Sequence, residues 1–359
     1  MPNASPLKWR FIWNNHNNLH SQTSNTLAEA KASVRPYLTT NCRKEFLHEC
    51  WGLQLNNLGS EKELQSYQSY LHHYEESCLC VPTSLADCTH EHFCKAVQQL
   101  QKGTRKSCEA TIKSLLPQTS QNPEAAKECI NFVGRAILLI DISGWKMDEI
   151  LPNFIIRVIA SDSKQEDQYR MPLSFNARTF AEVAGIKILW SRDLLSHLEM
   201  GLNDSTLAIF HNVKVLQLYE QSALGAIFPD AFIDETRRTL SLMLPCADKA
   251  AVKWFNSKQR RIGLDITAGN CPHLRATQRN IQDFNLWRDR LIISKEAFDS
   301  SQPSGLLQFW RDDRNRVQWW TFWIAIIVFL LTLVGVIESA LQVYKAYYPS
   351  PQLQTSKVR

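Results

Sequence analysis

The sequence predicts a mostly helical α+β body with one C-terminal transmembrane helix, and three observations lead there. The run at 317–337, VQWWTFWIAIIVFLLTLVGVI, holds no charged residue. At 1.5 Å per residue it covers about 30 Å, the thickness of a bilayer's hydrocarbon. Glycine is scarce, 12 of 359 residues, which favours helices over glycine-rich phosphate loops. Ahead of the span, apolar residues recur mainly at helical spacing, and IKILW and LAIF are the short runs that read most clearly as strands.

Residues 1–41 are rich in Asn, Ser, Thr and His without a sustained period, and read as a mobile arm with an aromatic cluster at Trp9 and Trp13. A Cys/His-containing helical bundle is expected over 42–117. Its first clear helix begins at Ser60, where Ser60 and Glu63 form a capping box ahead of Leu64, Tyr67, Leu71 and Tyr74. A second helix over 90–101 gathers Phe93, Val97 and Leu100 and stops at Gly103. A third over 106–116 gathers Cys108, Ile112 and Leu115 and ends before Pro117.

A mixed α/β body is expected over 123–300. Between Asn122-Pro123 and Gly144 a longer helix would carry Cys129, Val133, Ala136, Ile137 and Ile140, although AILLID at 136–141 also fits a buried strand. NFIIRVIA at 153–160 reads as a strand from its β-branched content. Asn176 caps a short helix to Val183, closed by Gly185. IKILW at 186–190 and LAIF at 207–210 read as paired strands. Between them Ser191 caps a helix over 192–200 with Leu194, Leu195 and Leu198 inward and His197 beside them. Helices follow over 231–244, with Asp230 as cap and Asp234 and Glu235 at the positive end, and after Asp248, with Val252, Trp254 and Phe255. The last body helix, 276–298, puts Ile281, Phe284, Trp287 and Leu291 on one stripe. A helix from 305 is expected to run straight into the span, with a tail over 338–359.

At the membrane interface, Trp319, Trp320 and Trp323 precede the apolar run, and Tyr344, Tyr347 and Tyr348 follow it. Gly335 and Ser339 stand four apart, the spacing that lets helices approach closely, so weak self-association through the span is expected. The first residues offer only Phe11-Ile12-Trp13 as an apolar run, and Arg311, Arg314 and Arg316 outnumber Lys345 close to the span. Both features put the body in the cytosol, on an internal membrane such as the endoplasmic reticulum rather than the cell surface. Ten cysteines would stay reduced there, and Asn3-Ala4-Ser5 and Asn203-Asp204-Ser205 would match the glycosylation pattern by letters only.

A net charge of +5 without a long Lys/Arg block gives no footprint for nucleic acid. The densest set of potential metal ligands is Cys78, Cys80, Cys88, His90, His92 and Cys94, which could hold zinc. Its C-x-C and H-x-H-x-C spacings depart from the C-x(2–4)-C of structural zinc sites, so packed thiols are favoured and no cofactor is expected. His197 and His211 beside apolar runs read as hydrogen-bonded core histidines, and Lys258, Arg260 and Arg261 as a solvated face. No G-x-S-x-G surrounds Ser143, and neither H-E-x-x-H nor a phosphate-binding glycine motif occurs. No catalytic residue is nominated. The expected function is a membrane-tethered, non-enzymatic interaction or sensing protein whose partners are the bilayer and an unidentified protein. The rival is a membrane-attached enzyme or zinc-dependent module built on 78–94.

Four stretches, NARTFAEVAGIKILWSRDLLSHLEM, DETRRTLSLMLP, NLWRDRLIISKEAFD and RDDRNRVQWWTFWIAIIVFLLTLVGVIESALQVYKAY, carry a resemblance. Over roughly 123–347 the chain resembles a large family of uncharacterised proteins of filamentous fungi. These end in a Trp-rich single span and an E-x-A-L-Q-V-Y-K-A-Y signature, matched here from Glu338 to Tyr347. The resemblance implies a single-pass fungal membrane protein and brings no catalytic residue with it.

Overall fold

The computed structural model describes residues 38–54, 61–86, 88–116, 124–159, 169–301 and 316–348. They are mostly helical with one two-stranded sheet, and divide into two compact units. The first unit takes the described residues up to Val158 together with Asn212–Ile233; the second takes Ile159–His211 and the described residues from Asp234 onward. The expected arm up to residue 37, the cap at Ser60, Asn122-Pro123, the helix from 305 and the tail beyond 348 lie outside the described residues.

The first unit opens with α1 (Thr40–Trp51), which the sequence reading did not single out. Its buried Cys42, Phe46, Leu47, Cys50 and Trp51 nevertheless fall at helical spacing, and Thr39 accepts the Cys42 amide as its cap. Gly52 closes it at φ 68°, a left-handed conformation that suits glycine. Next come α2 (Glu61–Ser66) and α3 (Gln68–Cys78), separated at Tyr67, with Leu64, Tyr67, Leu71 and Tyr74 all buried. α4 (His90–Gln99) and α5 (Arg105–Leu115) follow the expected stripes, except that Leu116 rather than Leu115 is buried.

α6 (Ala125–Ala136) ends eight residues before Gly144, which corrects the longer helix and also the strand alternative. Residues 137–142 form an irregular segment in which all but Asp141 are buried, with Leu139 at φ 51°. Buried backbone outside regular structure must find other partners. Here the Tyr70 hydroxyl donates to Ile137 O at 3.2 Å and the Tyr219 hydroxyl to Leu138 O at 2.5 Å. Arg105, 4% exposed, donates to Ile142 O, Ser143 O and Trp145 O at 3.2, 3.3 and 2.7 Å. The segment folds back across the end of α6 at Gly134, where a Cβ would lie 2.7 Å from the Ile142 side chain. α7 (Leu151–Ile159) corrects the expected strand at 153–160: Leu151, Phe154, Ile155 and Ile159 are buried at helical spacing, and Pro152 sits in the first turn, where its missing N–H costs nothing. α9 (Val213–Gln221) completes the unit with Tyr219, whose ring meets Trp51 edge-on at 5.1 Å.

In the second unit, α8 (Ala177–Glu182) has the expected cap: Asn176 accepts the Thr179 amide and Thr179 accepts the Asn176 amide. β1 (Lys187–Ser191) and β2 (Thr206–Phe210) pair in parallel, Lys187 opposite Thr206 and Ser191 opposite Phe210. The expected helix over 192–200 is instead one 3-10 turn, Leu194–Ser196, capped by Asp193. Residues 198–201 then run antiparallel to β2, with Leu198 N–H to Ala208 O and Ala208 N–H to Glu199 O. That pairing competes directly with helical hydrogen bonding and explains the short turn.

α10 (Phe232–Met243) begins after Ala231 at φ 63°. α11 (Lys249–Ile262) is capped by Asp248, whose carboxylate accepts the Ala250 and Ala251 amides; of its expected inward residues Phe255 is buried, and Val252 and Trp254 are half-buried. The expected helix over 276–298 is broken: 3-10 turns at Ala276–Arg279 and Ile281–Asp283 precede α12 (Arg288–Ser300). Ile281, Phe284, Trp287 and Leu291 are still all buried. The last element, α13 (Arg316–Tyr347), contains 28 residues, Trp320–Tyr347, long and apolar enough to cross a membrane, with a mean hydropathy of 2.6 over its most apolar 18 residues.

Candidate functional site

The Cys78–Cys94 segment sits where α1, α3 and α4 meet. Tyr74 and Cys78 share a face of α3, one turn apart, and His90 and Cys94 share a face of α4. Phe46 stacks on Tyr74 at 4.1 Å, and Cys50, one turn further along α1, is bonded to Cys94 as a disulfide. This bond corrects the expectation that all ten cysteines are free. The remaining eight are free, and six of those are buried, leaving Cys80 and Cys246 exposed.

The other members have separate environments. Tyr74 Oη lies 2.7 Å from His90 Nδ1 and also hydrogen-bonds Cys78. Burial pushes the Cys78 thiol up to about 12, with Tyr74 drawing it slightly back, and lowers His90 to about 4. Burial, reinforced by Cys78, also raises the Tyr74 phenol well above its usual value. At neutral pH all three groups are uncharged, so the chain Cys78–Tyr74–His90 is a neutral hydrogen-bond path that joins α3 to α4. His90 Nε2 is buried and has no hydrogen-bond partner among the described residues.

His92 performs a capping role: Thr89 accepts the His92 amide, and His92 Nδ1 accepts the Thr89 amide at 3.0 Å. A histidine takes the place that Glu or Gln usually holds in a capping box, a signal the sequence carried as T-x-x-H. Cys88 is buried ahead of that cap and Cys80 is exposed beyond α3. The six side chains are therefore not brought to one point. Among the described residues no group of three or more His, Cys, Asp or Glu could hold a metal ion.

A second polar cluster centres on His197, which is fully buried. Its Nδ1 accepts the Phe210 amide at 3.3 Å, so Nε2 carries the proton and donates to Thr239 Oγ1 at 2.8 Å; Thr239 donates on to Thr236 O. The Trp287 indole meets the imidazole edge-on at 5.0 Å and donates to Thr236 Oγ1. Glu235 Oε1 accepts the Leu286 and Trp287 amides at 2.7 Å each, and Arg290 donates to Leu195 O and His197 O. Burial, with the Arg290 charge behind it, lowers His197 to about 3. The imidazole is neutral, with both nitrogens occupied, and joins β2 to α10 as a core histidine.

His211 likewise is buried, with Asp265 N–H donating to its Nδ1. Arg260 and Arg261 are exposed, and Lys258 rests over the Trp254 ring at 5.7 Å. A shallow depression lined by Tyr169, Arg170, Pro172, Lys295, Glu296 and Asp299 contains none of these thiols or imidazoles, and its Lys295 is paired with Asp299.

On α13, Trp320, Tyr344, Tyr347 and Tyr348 are exposed, Trp323 is half-buried against Phe322, and the Trp319 side chain lies outside the described residues. Trp320 and Tyr344 stand 24 residues apart on one helix, about 36 Å along its axis. Gly335 has open space where a Cβ would stand, and Ser339 is exposed. Compared with protein-family models, curated proteins and solved structures, the chain matches none.

Proposed function

We propose that this is a single-pass membrane protein anchored by α13, whose body is an interaction or sensing module rather than a catalyst. One observation carries the reading: among the described residues, none of the most apolar stretch of α13 is buried. Ten large apolar side chains from Ile324 to Ile337 are exposed. Left in water they would forgo about 1.5–3 kcal/mol each, roughly 15–30 kcal/mol together. That exceeds the roughly 5–15 kcal/mol that holds a typical domain folded, so something apolar must cover the helix. A bilayer fits the length, since the helix spans about 42 Å and the aromatic residues near its ends flank about 30 Å of hydrocarbon.

The interaction reading is supported by how the chemically capable groups are used. Cys78, Tyr74, His90, Cys94 and His197 are committed to packing between helices and strands. Tethering such a body raises the effective concentration of any surface it presents to partners at the same membrane. Microsomes washed with alkaline carbonate should retain the full chain, and deleting residues 320–347 should release the body to the soluble fraction. Extraction of the intact chain by carbonate would refute the anchor.

A further inference from the structure

The Cys50–Cys94 bond bears on the side of the membrane that the body occupies. We infer that the body lies on the exoplasmic side, lumenal or extracellular, and that Asn203 carries an N-linked oligosaccharide there. The inference rests on the membrane anchoring proposed above, and it reverses the cytosolic expectation drawn from the sequence.

Both bonded cysteines are only 2% exposed, so the bond is made as α1 and α4 come together and not on a finished surface. The body therefore folds where disulfides form and persist, in an oxidising compartment. Six of the eight free thiols are buried away from oxidants. Burial also keeps Cys78 and Cys271 protonated, up to about 12, and the thiolate is the form that reacts. The charges flanking the span oppose this side only weakly. Within about twenty residues Arg311, Arg314 and Arg316 precede it and Lys345 and Lys357 follow it, three against two.

On that side Asn203-Asp204-Ser205 becomes an acceptor sequence, and its geometry suits one. It forms the tip of the turn between residues 198–201 and β2. The base of the turn is fixed by Gly201 N–H to Thr206 O at 2.8 Å and Asp204 N–H to Gly201 O at 2.9 Å. The turn closes tightly at Gly201, where a Cβ would come 2.1 Å from Thr206 Oγ1 and that hydroxyl would have to turn away. All four residues 202–205 are exposed, Leu202 completely, so the tip stands clear of its own unit and has room for a bulky glycan. In the transfer, Asn203 Nδ2 loses a proton and forms a bond to the anomeric carbon of an oligosaccharide carried on a lipid diphosphate. The bond from that carbon to phosphate breaks, and the lipid diphosphate leaves.

The test uses the full chain made in eukaryotic microsomes as wild type, Asn203→Gln, Ser205→Ala and Ser205→Thr. Wild type and Ser205→Thr should migrate one glycan step above the other two, and peptide N-glycosidase should bring all four together. The body should also resist protease added to sealed microsomes. Equal migration of wild type and Asn203→Gln before digestion, or degradation of the body in sealed microsomes, would overturn the inference. A carbonate wash of the same microsomes separates the two failures. Extraction of the chain sinks the anchor, whereas a retained chain without a glycan at Asn203 sinks only this inference.

Discussion

Replacing Arg105 by methionine keeps the length of the aliphatic stem but removes the guanidinium donors that serve the far end of the irregular segment after α6, leaving the Tyr70 and Tyr219 hydroxyls in place. The guanidinium is 4% exposed and feeds Ile142 O, Ser143 O and Trp145 O, besides pairing with Glu109 at 3.0 Å. Two of those bonds, to Ile142 and Trp145, are buried, whereas the one to Ser143 is partly open to water. Each buried acceptor left unsatisfied costs about 1–3 kcal/mol, so the change should cost about 3–5 kcal/mol. At about 1.4 kcal/mol per factor of ten, the segment should open roughly a hundred- to several thousand-fold more often. Hydrogen exchange of the peptide covering residues 137–145, followed by mass spectrometry on the full chain in detergent, reads that opening through the Leu138, Ile140 and Trp145 amides. These are held by Val133 O, Gly134 O and Ile142 O. Arg157→Met is the comparison, because its pair with Glu149 and its bond to Gly144 O at 3.1 Å both lie at the surface, with the Arg157 side chain 41% exposed, and losing them should change the peptide's exchange only slightly. Exchange in Arg105→Met within threefold of wild type would refute the idea that this one side chain satisfies the buried loop.

The disulfide closes 44 residues of chain, for which chain entropy gives about 4 kcal/mol. Replacing Cys50 and Cys94 together by alanine should lower the urea midpoint of the first unit far more than Cys42→Ala, which removes a buried but unbonded thiol; equal shifts would contradict this. His90 and His197 are held neutral, down to about 4 and about 3, whereas an unfolded histidine titrates near 6.5. Their contribution is therefore complete above pH 6.5 and is lost as pH falls towards those values, at up to about 1.4 kcal/mol per pH unit for each. Proton uptake on unfolding at pH 5 should fall by nearly one in His197→Gln, and unchanged uptake would mean the buried imidazole is already charged. Thr89→Val removes the hydroxyl that caps α4 and should cost about 1 kcal/mol by thermal unfolding, with no loss pointing to a cap supplied by another group.

Features that depend on neighbours along the chain were determined by the sequence alone. An uncharged run at 317–337 can only be an apolar helix, and Asn176 and Asp248 cap their helices through atoms two or three residues away. The buried stripes also survive where the regular helix does not, since Ile281, Phe284, Trp287 and Leu291 go inside across one 3-10 turn, the residues that follow it and the start of α12. Burial follows from side-chain chemistry, while regularity needs hydrogen-bond partners. The helix at Leu151–Ile159 was legible from its spacing and was obscured by its β-branched composition, which is the weaker signal.

What only the tertiary structure decided involves partners far apart in sequence. AILLID and the Ile142 after it are apolar enough for helix or strand, yet residues 137–142 form neither, because Tyr219, Tyr70 and Arg105, between 37 and 81 residues from the carbonyls they serve, satisfy Leu138, Ile137 and Ile142 where the segment folds back over Gly134. The parallel direction of β1 and β2 depends on how the chain between them crosses, and residues 198–201 gave up a helix to pair with β2. The six Cys and His side chains of 78–94 were close in sequence, yet α3, α4 and the chain between them point them towards different neighbours, and Cys94 meets a cysteine 44 residues earlier. A linear spacing rule ranks such groups by proximity along the chain, whereas packing sorts them by the helix face on which each one lies.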